Sequence, residues 1–152
     1  MSEFNNINVS RLSNRDEDKI YAFLDLIFNR EQNIPIDLIR IKSEKIFWWG
    51  IKNDEEIIGV AATWIESGEW HWGRFSIHPE LRGQGYGEKL ASFSIKESFN
   101  YNIDHLVIEA RDAVVPLIQK MGGTIIGETQ PFYSENITLM KLEKRNFNTL
   151  KS

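Results

Sequence analysis

The stretch Phe75-Ser-Ile-His-Pro-Glu-Leu-Arg-Gly-Gln-Gly-Tyr-Gly-Glu-Lys-Leu90 decides how the rest of the chain is read. It begins as an apolar strand end, breaks at Pro79, and then alternates Gly83, Gly85 and Gly87 ahead of a helix-forming run. Glycine lets the backbone take positive φ and come close to a ligand. The first N–H groups of a helix have no intrahelical partner, and the helix dipole favours an anion in front of them. A diphosphate suits such a turn, and the Arg82 guanidinium either adds a charge-assisted contact or faces solvent. Two familiar phosphate loops do not fit. A nucleotide-triphosphate loop needs Gly-Lys-Ser/Thr, whereas Gly87 is followed by Glu88-Lys89-Leu90. A dinucleotide fingerprint starting at Gly83 needs a third glycine where Glu88 stands.

Working outward, residues 6–12 read as a first strand, and Ser13-Asn14 as a helix cap followed by the acidic first turn Asp16, Glu17, Asp18. Ile20, Phe23, Leu24 and Ile27 recur at helical spacing, which predicts an amphipathic helix over 15–29. Pro35 opens a weaker helix to about residue 42. Residues 45–52, 56–66 and 69–78 alternate as strands separated by Asn53-Asp54 and Ser67-Gly68, an antiparallel meander. The glycine turn leads into a helix over 85–99, a strand at 104–109, a helix at 112–121 ended by Gly122-Gly123, and strands at 124–128 and 136–142. The order β-α-α-β-β-β-α-β-α-β-β describes an α+β fold: a mixed, mostly antiparallel sheet of six to seven strands with helices on both faces. No linker or repeat divides the 152 residues, so one domain over 1–152 is expected, with 144–152 frayed.

This combination resembles the GNAT superfamily of acyl-CoA-dependent N-acyltransferases. The family's motif Gln/Arg-x-x-Gly-x-Gly/Ala is matched by Arg82-Gly83-Gln84-Gly85-Tyr86-Gly87, after a strand ending Ile77-His78-Pro79. Ile108-Glu109-Ala110 and the helix AVVPLIQKMG at 113–122 continue the likeness, and Glu31-Gln32-Asn33-Ile34-Pro35 resembles a stretch found in one subgroup of small bacterial members. The resemblance implies a V-shaped opening between the strands at 69–78 and 104–110, where pantetheine lies. It implies acetyl-CoA as co-substrate, its pyrophosphate held by the amides of Gly83, Gln84, Gly85, Tyr86, Gly87 and Glu88. Backbone groups of Phe75, Ser76 and Ile77 would pair with the pantetheine arm, one amide polarising the thioester carbonyl.

The family often carries its base on the strand before this loop, and here that strand offers His71 and Glu69 on one face. An imidazole titrates near 6.5 in an ordinary setting, which suits removal of an ammonium proton. The alternative for His71 is a strand histidine satisfied by a hydrogen bond between Trp70 and Trp72. His78 and His105 read as structural and exposed, respectively. The tyrosine that commonly protonates the leaving thiolate is replaced by Ile118, and Tyr133 in the last hairpin is the substitute considered.

All five tryptophans fall between 48 and 72. They serve either sheet packing with a dimer surface or an aromatic-walled acceptor pocket. Other classes are set aside by composition. Cysteine is absent, so there is no thiolate metal site and no acyl-cysteine intermediate; the histidine spacings match no zinc motif. A net charge of -4 and a pI near 5.4 argue against nucleic acid as a partner. No signal peptide or membrane span is read, so the expected address is cytoplasmic. The expected function is transfer of acetyl from acetyl-CoA to a primary amine of a small molecule, in a monomer or homodimer, with no metal and no membrane partner. The alternatives are a non-catalytic acyl-CoA-binding module and an acetyltransferase acting on protein lysines or N-termini.

Overall fold

The structure, a computed structural model, describes residues 4–148. Strand β1 (Ile7–Leu12) is followed by Ser13, whose hydroxyl accepts from the Arg15 amide while Asp16 reaches back to the Ser13 amide. This reciprocal cap starts a short 3-10 turn and then α1 (Glu17–Leu24). The helix widens into a π-helical stretch over Asp25–Glu31, so the expected helix at 15–29 is three kinds of helix in series. Such widening is rare and concentrates at functional sites. Helix α2 (Ile36–Ile39) stops earlier than expected. Arg40 takes an extended conformation and forks onto Asp25 through bonds of 2.8 and 3.0 Å, which draws the chain out of the helix.

Strands β2 (Ile46–Asn53), β3 (Glu56–Glu66) and β4 (Glu69–Ile77) form the meander. After α3 (Tyr86–Ser98) come β5 (His105–Arg111), α4 (Val115–Lys120), and the hairpin β6 (Thr124–Phe132) and β7 (Glu135–Glu143). The seven strands make one sheet in the order β1-β2-β3-β4-β5-β7-β6. Every neighbouring pair is antiparallel except β4 and β5. The mixed, mostly antiparallel α+β sheet is therefore as expected. β6 outruns its expected end at 128 and tolerates Pro131 because it is an edge strand, where a missing N–H faces no neighbour.

The two faces carry separate cores. Ile20, Phe23, Leu24 and Ile27 of the N-terminal helical region bury against Trp48, Val60, Ala62 and Trp64 on one face. Leu90, Ala91 and Ile95 of α3, with Ile118 and Met121, bury against Trp49, Ile58, Trp72 and Ile108 on the other. Adjacent Trp48 and Trp49 thus enter opposite cores, as strand alternation requires. A buried polar chain ties α3 to the sheet: Trp72 Nε1 donates to Ser94 Oγ at 2.9 Å, Trp49 Nε1 to Thr63 Oγ1 at 3.0 Å, and Thr63 meets Ser98 at 2.6 Å. Trp48, Trp49, Trp64 and Trp72 are all under 10% exposed, so sheet packing takes four of the five tryptophans and Trp70 is half-buried.

Residues 144–148, expected to fray, are docked instead. Phe147 packs on Phe99, and the Asn148 amide donates to the Met121 carbonyl at 2.8 Å. A Cβ on Gly122 would strike the Asn146 carbonyl, so the glycine pair after α4 makes room for this segment. The remainder of that expectation, 149–152, lies outside the described residues.

Candidate active site

The site is built where the sheet fails to stay regular. Along β3, Val60 faces Ser76 while Ala62 faces Gly73, so Arg74 and Phe75 together oppose Ala61. This is a β-bulge, and Arg74 sits in it with φ 52°. β4 then parts from β5: the one registered parallel pair is His71 with Val107. Beyond it the β5-facing backbone of β4 has no strand partner. Arg111 of β5 spans the gap, its Nη2 donating to the Phe75 carbonyl at 2.8 Å.

Below the splay is the glycine loop. His78 Nδ1 accepts from the Glu80 amide at 3.1 Å, a structural role for that histidine. Gly83 and Gly85 have φ of 79° and 86°, and a Cβ on either would meet nothing within 4 Å. Helix α3 starts at Tyr86, and its first backbone bond runs from Lys89 N to Gly85 O at 3.1 Å. Among the described residues, no protein group accepts from the amides of Gly83, Gln84, Gly85, Tyr86, Gly87 or Glu88. Consecutive unpartnered donors at the start of a 13-residue helix are a cradle for a diphosphate. Gly87 also lies against the Phe75 ring, where a Cβ would approach Cζ to 3.4 Å.

The side chains of Arg82 and Gln84 turn away from that cradle. Arg82 does not point into it as expected: its Nε donates to Ile77 O at 3.1 Å and its Nη2 to Glu31 at 3.1 Å. Gln84 Nε2 donates to the Glu80 carbonyl at 2.7 Å. The cradle is therefore backbone only.

Beside the splay, on the face covered by α1 and α2, lies a cavity of about 270 Å³. Trp64 and Glu66 of β3, His71 and Arg74 of β4, and Glu109 and Arg111 of β5 line it. The π-helical turn contributes Phe28, and the final hairpin Phe132 and Glu135. His71 stacks on Trp64, ring centroids 5.6 Å apart and 15° from parallel. Neither of its ring nitrogens has a hydrogen-bond partner among the described residues, so the satisfied-histidine alternative loses its support.

Ser76 is buried behind the bulge and Ile77 belongs to the α3-side core. Glu69 and Tyr133 are not brought together with His71. Glu69 is outside the cavity lining, with its carboxylate 3.4 Å from His105. Tyr133 occupies the β6–β7 turn at φ 55°, 52% exposed, edge-on to Phe132. Ile118 is wholly buried in the α3-side core.

Residues that sequence reasoning missed are the charged ones. Burial pulls the Arg111 guanidinium downward in pKa, and Glu135, at 3.5 Å, pushes it back. With its amide oxygen facing that guanidinium, Gln32 accepts from Arg111 Nη1 at 2.6 Å and donates to Glu135 at 3.1 Å. Glu31 and Gln32 thus brace the loop and the cavity from one short stretch, and their adjacency was the available signal. Arg74, Glu66 and Glu109 gave no signal beyond strand position. Among the described residues no three His, Asp or Glu side chains gather as a metal site, and no helix is long and apolar enough to cross a membrane.

No curated protein sequence matches the chain. Solved structures with this fold include Escherichia coli ElaA (17% identity, TM-score 0.76, covering 88% of this chain and 97% of that one). Another is a GNAT-family acetyltransferase from Staphylococcus aureus (15%, 0.69, 90% and 98%). A third is spermidine N-acetyltransferase from Vibrio cholerae in complex with CoA and spermine (15%, 0.67, 92% and 96%). At these identities the likeness establishes the fold alone. The model of the acetyltransferase (GNAT) family matches residues 10–122, through both the bulged strand and the glycine loop, and the chain belongs to that family.

Proposed function

We propose that this protein is a cytoplasmic enzyme that transfers the acetyl group of acetyl-CoA directly to a primary amine of a small molecule. One observation carries the reading: Phe75, beside the splay between β4 and β5, lines the cavity that holds His71 and lays its ring against Gly87 of the cradle of unpartnered amides. Bound there, acetyl-CoA supplies an activated acyl thioester. The amides of Gly83 to Glu88 hold its diphosphate, and the β5-facing backbone of Phe75 to Ile77, whose Phe75 and Ile77 carbonyls accept from Arg111 and Arg82, aligns the pantetheine arm. Arg111 must release the Phe75 carbonyl for that alignment.

His71, stacked on Trp64 and with no hydrogen-bond partner for its ring nitrogens among the described residues, takes the proton of the acceptor ammonium. The amine nitrogen then attacks the thioester carbonyl, loses its second proton to solvent as the amide bond forms, and the carbon–sulfur bond breaks with the electron pair leaving on sulfur. The Glu66 and Glu109 carboxylates draw the cation toward the cavity. With no cysteine in the chain, transfer is direct within a ternary complex. Neither Ile118 nor Tyr133 donates a proton, so solvent protonates the thiolate.

The experiment is CoA release from acetyl-CoA by the purified protein across an amine panel, with products identified by mass spectrometry. Turnover with one or more amines is the expected result; no turnover with any of them, although acetyl-CoA binds, overturns it. That second result is what a non-catalytic acyl-CoA-binding module gives, a reading favoured by the buried isoleucine at 118. Poor rates with free amines but good rates with peptides would point to a protein acetyltransferase.

A further inference from the structure

Arg74 is a cation without an anion. Its Nε donates to the Ile39 carbonyl at 2.8 Å and its Nη2 to the Leu38 carbonyl at 3.1 Å, and its guanidinium lies 5.2 Å from the Trp64 ring centroid. Among the described residues no carboxylate comes within 4.0 Å of it. Arg111 in the same cavity differs, with Glu135 beside it. Burying a guanidinium without a counter-ion is unfavourable, and burial pulls its pKa down. Glu109 and Glu66 push back only from a distance. The backbone adds a second cost: at φ 52° this bulge position favours glycine or asparagine, yet it carries arginine. A residue that is costly on both counts, and that faces a cavity beside His71, is accounted for by what enters the cavity.

We propose that Arg74 is a specificity-determining residue that binds a carboxylate of the acceptor, so that the acetylated amine is an amino acid or a similarly small amino-carboxylate. This rests on the cavity being the acceptor site, as in the proposed function. Two main-chain carbonyls fix the guanidinium plane, and Nη1, with no hydrogen-bond partner among the described residues, remains for the ligand oxygen. The carboxylates of Glu66 and Glu109 receive the ammonium end, which gives the cavity the charge pattern of a zwitterion. Its volume, about 270 Å³, is below the roughly 300–1,000 Å³ of drug-sized sites and suits an acceptor of amino-acid size.

The test compares matched acceptors: leucine against isoamylamine, phenylalanine against phenethylamine, lysine against cadaverine, each with wild type, Arg74→Gln and Arg74→Lys. Wild type is expected to favour at least one acid over its decarboxylated partner by about 10- to 100-fold in kcat/KM, mainly through KM. Arg74→Gln should bring that ratio toward one, and Arg74→Lys should restore part of it. Acetylation of amines with no preference for the acids in wild type overturns the carboxylate assignment alone. So does an Arg74→Gln loss that is equal for both members of a pair, since that is the mark of a prop under α2. No acetylation of any acceptor while acetyl-CoA still binds overturns the enzyme reading, and this inference with it.

Discussion

The two halves of the site are made of different material. The cradle proposed for the donor is a continuous run of backbone, residues 83–88, whose amides have no acceptor among the described residues; the side chains of Arg82 before it and Gln84 within it turn outward. The acceptor cavity is made of side chains drawn from β3, β4, β5, the π-helical turn and the last hairpin. A backbone site recognises what every donor molecule shares, and a side-chain site is free to change with its substrate. The first should be sensitive to shape and glycine content, the second to single charges.

The largest expected effect falls on the side-chain half. His71→Ala should lower kcat/KM by about 100- to 10,000-fold, the usual range for a general base, while leaving acetyl-CoA affinity within about twofold. Steady-state kinetics beside titration calorimetry checks both parts. A parallel loss of donor affinity would merge the two halves that the structure separates. Next comes the bridge between them. Arg111→Met removes the bond to Phe75 O and leaves Glu135 without its cation, which should cost about 2 kcal/mol in urea unfolding. A neutral result would mean the guanidinium is held in water rather than across the splay.

The same contrast explains what could be read beforehand. The glycine loop was legible because a backbone site leaves a local signature: three glycines, a proline and a helix start within nine residues, 79–87. The meander was legible through a local signature too, the period-two alternation of its strands. The cavity was not, because Arg74, Glu109 and Glu135 come together only through register and a bulge, and a bulge that carries arginine instead of glycine has no local mark. Glu69 was misplaced by the same blindness. It shares a face with His71, but two residues further along β4 it is beyond the cavity and beside His105. The docked segment at 144–148 escaped notice because its polar composition resembles a loose end, whereas its anchors are Phe147 over Phe99 and backbone bonds of Lys144 and Asn148 that no side-chain pattern marks.

Smaller effects sharpen the donor side. Ser94→Ala leaves the buried Trp72 indole N–H without an acceptor and loosens the helix that bears the cradle, costing about 1–2 kcal/mol. Urea unfolding measures it, and an unchanged midpoint would show that another group accepts the indole proton. Smallest is Glu31→Gln. Its exposed pair with Arg82 should contribute no more than about 1 kcal/mol, and donor affinity should fall by at most about fivefold. A larger loss of donor affinity would place the Arg82 side chain in the cradle after all.

The central claim is that backbone amides, with no side chain in their way, hold the donor diphosphate. Isothermal titration of acetyl-CoA into wild type and into a Gly85→Glu, Gly87→Glu variant, each checked by thermal melting, tests it directly. The account predicts measurable binding to wild type and a loss of at least about 100-fold in a variant that still melts cooperatively, because carboxylates and Cβ atoms then crowd an anion site built for none. Equal affinity in the two folded proteins, or no binding to wild type, would contradict it.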